Sequence, residues 1–299
     1  MASTREIQDR IKSINDTKKI TSAMYLISSS KLKKAKNALI NTEPYFYTLQ
    51  SEIARILKDD DTISSHQKYF EEGMTKPKEE RKIGYIVVTA DKGLAGAYNH
   101  NVIKIAQEQM LQHPNHKLYI VGQVGIHFFE HQKIEFDPSF KYSIQNPSIS
   151  RARRIAETML DLFMKDEIDE VYIIYTKMIN SMASEAEMLK LLPLEKGDFS
   201  TKEAEEDEKD EDFVFIPSAE SVFKAIVPNW ISGLIYGALV ESYCSEQNAR
   251  MMAMQSSTDN ANEMLRELNI IYNRVRQAAI TQEITEVISG AKAQKNKRS

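Results

Sequence analysis

The sequence predicts an α/β protein in which the two ends of the chain form a long antiparallel coiled coil around an inserted α/β domain. The first observation is that residues 238–289 contain neither Gly nor Pro, so that a helix through them would be roughly 75 to 80 Å long. The second is that apolar positions in this run alternate in steps of three and four, at Leu265, Leu268, Tyr272, Val275 and Ala279. Such a seam needs a partner helix. The third is that strand-like and helix-like segments alternate in the middle of the chain.

Composition excludes several classes of protein. The 299 residues carry a net charge of -4, which argues against a general nucleic-acid binder, although residues 1–40 hold nine basic and three acidic side chains. No apolar stretch approaches the roughly 20 residues that span a bilayer, and no signal-peptide pattern is present, so we expect the chain to stay in the cytosol. Cys244 is the single cysteine, which excludes an internal disulfide and leaves a passive thiol as the preferred interpretation.

The N-terminal element is the natural partner of the terminal run. Ser3 and Glu6 have the spacing of a capping box, and the first Pro is Pro44, so a helix can begin almost at residue 1. A second helical stretch, Tyr45 to Leu57, continues it, which predicts an N-terminal coiled-coil helix over residues 1–58. Its seam positions are Ile7, Ile11, Ile14, Lys18, Thr21, Tyr25, Ser28, Leu32, Ala35 and Leu39. The small and polar residues in the middle of this seam predict light packing there.

The inserted domain is predicted over residues 83–194. The preceding segment, residues 58–82, is charged and contains Gly73 and Pro77, which is typical of a surface connection. Strands are predicted at 83–90, 117–122, 170–177 and 187–193, and helices at 98–111, 123–131 and 148–164. This alternation predicts a Rossmann-like domain with a largely parallel sheet.

The last third of the chain is predicted in three parts. Residues 195–217 form an acidic loop, with ten acids between 195 and 212, that ends in a short apolar strap at 213–216. A C-terminal coiled-coil helix follows over 218–291, with a disturbance expected at Pro228. Residues 292–299 are expected to form a frayed basic tail.

Three short patterns invite a chemical interpretation, and in each the structural alternative is favoured. The glycines of DKGLAGAYN after a buried strand could cradle a phosphate, but the pattern is neither a dinucleotide fingerprint nor a Walker loop, and a strand-to-helix turn explains it. His127 and His131 of HFFEH could bind zinc, but the neighbouring phenylalanines favour packing on the sheet. Glu283 and Glu286 could form an acid/base pair, but a solvated or partner-facing helix surface is the preferred interpretation. We therefore predict no catalytic residue, no metal site and no cofactor.

Three stretches resemble the gamma subunit of the F-type ATP synthase, the central rotor shaft of that enzyme. They are IQDRIKSINDTKKITSAMYLISSSKLKKAK near the N terminus, TADKGLAGAYN at the start of the α/β domain, and ALVESYCSEQNARMMAMQSSTDNANEMLRELNIIYNRVRQAAITQEITEVISGA near the C terminus. They occur in the family's order and cover most of the chain.

The resemblance implies a noncatalytic rotor subunit of a proton-translocating F-type ATP synthase. Its partners would be the alpha and beta subunits of the catalytic hexamer, the epsilon subunit and the membrane c-ring, with neither nucleic acid nor a small-molecule substrate. The chain would be a peripheral membrane protein on the cytoplasmic face of a bacterial cell membrane. Coupling would arise because one face of the rod binds alternative beta-subunit states differently, which requires no bond-making residue on the shaft.

The resemblance also implies partner-binding positions. Arg276 and Gln277 would hydrogen-bond a loop of the beta subunit, with Thr281 and Glu283 following one and two turns later, whereas Met24 and Arg250 match positions near the moving domain of that subunit. The alternative function is a free-standing coiled-coil adaptor without a motor role, which would be stable alone or self-associate through its seam.

Overall fold

The computed structural model describes residues 4–57, 67–180, 183–199 and 215–297. The chain forms five α-helices and four strands in these residues, in the order α1 (Thr4–Ile56), β1 (Ile83–Val88), α2 (Tyr98–Gln112), β2 (His116–Val121), α3 (Gln123–His131), α4 (Ile149–Met164), β3 (Glu170–Met178), β4 (Ser184–Leu192) and α5 (Ala219–Lys297). Short 3-10 turns lie at Gln67–Tyr69, Glu71–Gly73, Lys78–Glu80 and Lys196–Phe199. Two compact units make up the chain, residues 1–27 with 251–299 and residues 28–250.

The four strands of the larger unit form one mixed sheet in the order β2-β1-β3-β4. β1 pairs in parallel with both β2 and β3, whereas β4 returns antiparallel beside β3. The prediction of a largely parallel sheet is therefore confirmed. All six residues of β1 are buried, as expected for a central strand whose two faces are both covered.

Each face of the sheet has its own hydrophobic layer. On one face, Val87, Leu118 and Ile174 pack with residues of α2 and α3 such as Val102 and Phe129. The opposite face, which includes Ile86 and Val121, packs against α4 and against the segments of α1 and α5 that belong to this unit. The apolar side of α4 comprises Ala152, Ile155, Ala156, Met159, Leu160 and Phe163. The long helices are thus part of the core of the α/β domain.

Two prolines lie inside the long helices without ending them. Pro44 lies within α1 and Pro228 within α5, and both helices are continuous through these positions. At Pro228 the disturbance expected from the sequence does not break the helix, and Ser232 Oγ donates a 2.6 Å hydrogen bond to the Pro228 carbonyl. A helix that is packed over most of its length tolerates the lost backbone bond, because tertiary burial supplies most of its stability.

The smaller unit is an antiparallel helix pair. Gln8 Nε2 donates a 2.8 Å hydrogen bond to Tyr272 Oη, and the hydroxyls of Thr21 and Thr258 lie 2.7 Å apart, so numbers rise along one helix as they fall along the other. The predicted seam residues of α1 in this unit are buried or half-buried, and so are Leu265, Leu268, Tyr272 and Val275 of α5, whereas Ala279 is exposed. The coiled-coil seam is confirmed up to Val275, and its middle is polar, as predicted.

The segment before β1 is more than a surface connection. Residues 58–66 lie outside the described part, but Tyr69 and Phe70 are buried, and the Phe70 ring stacks on Phe223 with centroids 5.8 Å apart. Arg81 is buried too, and its Nη1 donates to Glu71 at 2.6 Å and to Glu170 at 2.7 Å. The prediction of a surface connection was therefore wrong for these three residues, because the polar composition of the segment concealed two aromatic anchors and one buried ion pair.

Three further expectations concern the end of the chain. The acidic loop lies mostly outside the described residues, and of the strap only residues 215 and 216 are described. The helical backbone of α5 continues to Lys297, through most of the segment that was expected to be a frayed tail. The helix also contains an 18-residue window that is apolar enough, by length and composition, to cross a membrane, contrary to the sequence expectation. Since 56% of that window is buried inside the protein, a core helix accounts for it.

Candidate functional site

Four of the six predicted partner-binding residues lie on one exposed stretch of α5. All side chains from residue 276 to residue 291 are exposed, and we call this stretch the distal segment. Because successive helical residues turn by about 100°, Arg276 and Glu283 share one face, and Gln277 and Thr281 share the adjacent one. All four side chains are therefore accessible to a partner, as two polar pairs on different faces of the helix.

An apolar stripe on the same stretch continues beyond Ala279, the last seam position predicted from the sequence. Ile280, Ile284, Val287 and Ile288 are between 48% and 72% exposed. Their spacing of four, seven and eight residues places them on one helix face, close to Arg276, and this spacing was the signal available in the sequence. Exposed aliphatic side chains that are contiguous on one face are typical of a protein-binding surface.

The other two predicted residues lie elsewhere. Met24 is half-buried in α1 of the smaller unit, one turn after Thr21. Arg250 is only 7% exposed in the larger unit, where its Nη1 forms a 2.6 Å ion pair with Glu246 Oε1. Its Nη2 donates to the carbonyls of Lys92 and Gly93 at 3.0 and 3.1 Å. Arg250 thus binds the loop after β1 within its own chain, a contact that no pattern in the sequence indicated.

Glu246 is the buried counterpart of this arginine. It is 3% exposed, and Gln247 Nε2 also donates to its Oε1, at 3.2 Å. Burial raises the pKa of the Glu246 carboxyl above its ordinary value, while the Arg250 guanidinium acts in the opposite direction. Removal of the guanidinium would therefore leave a carboxylate that is costly to keep charged.

The carboxyl end of the sheet, where α/β folds commonly bind ligands, is occupied by the protein's own groups. Asp91 Oδ1 accepts from the Gln123 backbone N–H at the start of α3, at 3.2 Å. Its Oδ2 accepts from Ser143 Oγ at 2.5 Å and from the Gln145 N–H at 3.3 Å. The Asp91 carboxylate of the DKGLAGAYN turn thus binds the N-terminus of α3 and the segment at residues 143–145, and these contacts favour the structural interpretation of the turn.

The remaining chemical candidates are surface features or inert groups. His127 and Glu130 are both exposed, 3.8 Å apart, and in the described residues no group of three His, Cys, Asp or Glu side chains is placed to hold a metal ion. Glu283 and Glu286 are exposed, and Glu286 accepts a 2.9 Å hydrogen bond from Gln282 Nε2. Burial raises the pKa of Cys244 to about 11, so its thiol is protonated at neutral pH.

The comparison with protein families is decisive. The family model described as ATP synthase matches residues 3–294. The ATP synthase gamma chain of Acetivibrio thermocellus is 46% identical over 299 residues, which cover 99% of this chain and 100% of that protein. The chain belongs to the ATP synthase gamma chain family.

Further relatives define the breadth of the gamma chain family. A sodium-ion-specific ATP synthase gamma chain from Acetobacterium woodii is 37% identical, with 97% of this chain and 98% of that protein covered. Among solved structures, a chain of the Euglena gracilis mitochondrial ATP synthase has a TM-score of 0.64 at 17% identity and covers 97% of this chain and 94% of its own. The predicted fold class and the expectation of a noncatalytic stalk subunit of ATP synthase are confirmed.

Proposed function

We propose that this gamma chain is the central rotor that couples ion flow through a membrane ring to conformational cycling of catalytic beta subunits. The distal segment carries this proposal, because it presents two polar pairs and the aliphatic stripe between them, and all of these side chains are exposed among the described residues of their own unit. A helix with different groups on different faces binds alternative states of a surrounding subunit with different affinity, and that difference is the coupling free energy. Membership of the ATP synthase gamma chain family supports it.

The proposed partners are the alpha and beta subunits around the distal segment, together with the epsilon subunit and the c-ring. The chain would then be held at the cytoplasmic face of a bacterial cell membrane as a peripheral protein. Pull-down of the tagged chain from its native membranes, followed by mass spectrometry, tests this assembly. Recovery of alpha, beta, epsilon and c subunits in an ATP-hydrolysing complex is expected, whereas recovery of the chain alone would favour the free-standing adaptor.

The coupling ion is proposed to be H⁺, and the sodium-ion-specific relative provides the alternative. ATP-driven ion uptake into inverted membrane vesicles distinguishes the two ions. Acidification of the vesicle interior without added Na⁺ is expected. Uptake that requires Na⁺ and persists with a protonophore would show that the coupling ion is Na⁺ and would leave the rotor role intact.

Arg276 and Gln277 are proposed as the principal contacts with the beta subunit. The double variant Arg276→Ala/Gln277→Ala removes a charged and a neutral hydrogen-bonding group, and one lost charged hydrogen bond of about 1.5 to 3 kcal/mol corresponds to roughly tenfold or more in a rate or equilibrium. We expect the rate of ATP synthesis in vesicles to fall roughly tenfold or more. Folding should be unchanged, since both side chains are exposed.

Arg274→Ala is the matched control, because Arg274 is also exposed and lies about 200° around the helix from Arg276. It removes the same charge from a different face and should reduce ATP synthesis much less. Equal loss in the two variants would mean that charge alone matters, and unchanged synthesis in the double variant would remove these positions from the mechanism.

A further inference from the structure

The Arg250 guanidinium is nearly saturated by groups of its own chain. Nε and both Nη2 hydrogens face the Lys92 and Gly93 carbonyls, with Nε 3.4 Å and Nη2 3.1 Å from the Gly93 oxygen, and Nη1 holds Glu246. Of the five N–H donors of an arginine, this leaves one on Nη1. Since the residue is 7% exposed, it cannot bind an external group without giving up part of this arrangement.

The loop that Arg250 holds is fixed from its other side as well. Asp91, the residue before Lys92, accepts hydrogen bonds from Ser143, Gln145 and the first turn of α3, and the Ala90 N–H donates to Asn99 Oδ1 at 2.8 Å. Gly93 and Gly96 have open space where a Cβ would lie. The two glycines thus have no packing contacts at these positions, whereas Ala95 between them is buried and Ala249 of α5 packs against its cluster. Arg250 adds the hydrogen bonds that tie the loop to α5.

We infer that Arg250 is a positioning residue: it fixes the loop of residues 91–96 to α5, so that helix and α/β domain move together within residues 28–250. This inference rests on the proposed rotor function, because a joint that transmits torque must not yield. It differs from the expectation that Arg250 contacts the beta subunit directly. A planar guanidinium suits the task since it reaches two adjacent carbonyls and a carboxylate at once, whereas a lysine ammonium cannot match that fork.

A cross-link that replaces the guanidinium tests the inference. In the full chain assembled into its membrane complex, Arg250→Gln should lower ion pumping per ATP hydrolysed, and Arg250→Lys should lower it less. The double variant Gly93→Cys/Arg250→Cys should be as poorly coupled as Arg250→Gln until a short bismaleimide joins the two thiols, and the joined form should recover coupling. Gly93 accepts a side chain without a clash, and the buried Cys244 thiol does not compete for the reagent.

Arg153→Gln is the matched control, because it removes an exposed arginine charge from α4 of the same unit and should leave coupling unchanged. A joined double variant that stays uncoupled would overturn the inference and indicate that Arg250 acts on a partner. Full coupling in Arg250→Gln would overturn it too.

A second measurement distinguishes failure of the Arg250 inference from failure of the rotor proposal. In the free full-length chain, Arg250→Gln should accelerate hydrogen exchange of the backbone amides of residues 92–96, whether or not the chain turns in a motor. Unchanged exchange there would refute the inference that Arg250 fixes the loop to α5. A wild-type complex without ATP-driven pumping would refute the rotor proposal and leave that inference intact.

Discussion

Two glycines on neighbouring turns of α5 should respond in opposite directions to the same substitution. A Cβ added at Gly233 would overlap the ring of Phe46 in α1, with the Cε1 and Cγ atoms 2.5 and 2.6 Å away. A Cβ added at Gly237, four residues later, would meet nothing within 4 Å. At Gly233 a side chain of α1 therefore lies against α5, whereas Gly237 has free space beside it. Gly237 is thus a matched control in the same helix.

The magnitudes follow from two competing effects. Ala is about 1 kcal/mol better than Gly in a helix interior, so Gly237→Ala should stabilise the protein by about that amount. At Gly233 the same gain is opposed by overpacking, which costs typically 1 to 3 kcal/mol. The atoms in the way belong to the body of the Phe46 ring, which also contacts Tyr45 and Tyr236 at centroid distances of 5.3 and 6.3 Å, so the ring has little freedom to move aside. The two variants should therefore differ by about 1 to 3 kcal/mol.

Thermal unfolding of the full chain, followed by circular dichroism, measures this difference. For a unit of this size about 1 kcal/mol corresponds to about 2 to 4 °C, so Gly233→Ala should melt several degrees below Gly237→Ala. In a Phe46→Ala background the clash is absent, and Gly233→Ala should then become stabilising, as a double-mutant cycle requires. Equal melting temperatures for the two glycine variants, or a Gly233→Ala cost that survives removal of Phe46, would refute the reasoning.

The remaining predictions concern buried ionisable groups. Arg81→Gln should destabilise the protein by about 3 to 5 kcal/mol in urea denaturation, because it leaves Glu170 buried and uncompensated, whereas Lys224→Gln, which breaks the exposed pair with Glu220, should cost less than about 1 kcal/mol. Burial acts to raise the pKa of Glu71, but bonds from Lys190 and Arg81 prevail and hold it below its ordinary value of 4.5. The stabilisation from the charged Glu71 is thus complete above about pH 4.5 and is lost as pH falls below that value. In Glu71→Gln the free energy of unfolding should therefore decrease less steeply as the pH is lowered. Cys244, whose pKa burial raises to about 11, should react with a maleimide at pH 8 only after unfolding; rapid labelling of the native chain, read by mass spectrometry, would contradict its burial.

The secondary structure was largely predictable because its signals are local. Hydrophobic periodicity placed α3 at Gln123–His131 with the bounds that the structure shows, and the steps of three and four marked the seam as far as Val275. β4 begins three residues before its predicted start, since its first residues are exposed at the edge of the sheet and lack the apolar signal of a buried strand.

The candidate site was predictable only in part, because its decisive contacts are not local. Arg250 and Gly93 are 157 residues apart, and no spacing rule relates a helical arginine to a loop carbonyl. The arginine was therefore assigned to a partner, whereas the structure shows an internal acceptor. The aliphatic stripe from Ile280 to Ile288 was readable from its spacing, but its exposure depends on where α1 begins along the seam, which requires the fold.

The polar groups on the buried side of α5 explain how this helix keeps its place on the sheet. Ser242 Oγ lies 2.7 Å from Tyr98 Oη, Ser245 Oγ donates to the Thr176 carbonyl at 3.3 Å, and Arg250 follows two turns after Ser242. An entirely aliphatic face would be at least as favourable in burial free energy, but it would allow the helix to shift or rotate with little penalty. Hydrogen bonds at three successive levels penalise any shift of one residue, because each shift leaves buried polar atoms unpaired. For a chain proposed to transmit torque, fixed register is the property that these polar residues supply and that apolar packing alone does not.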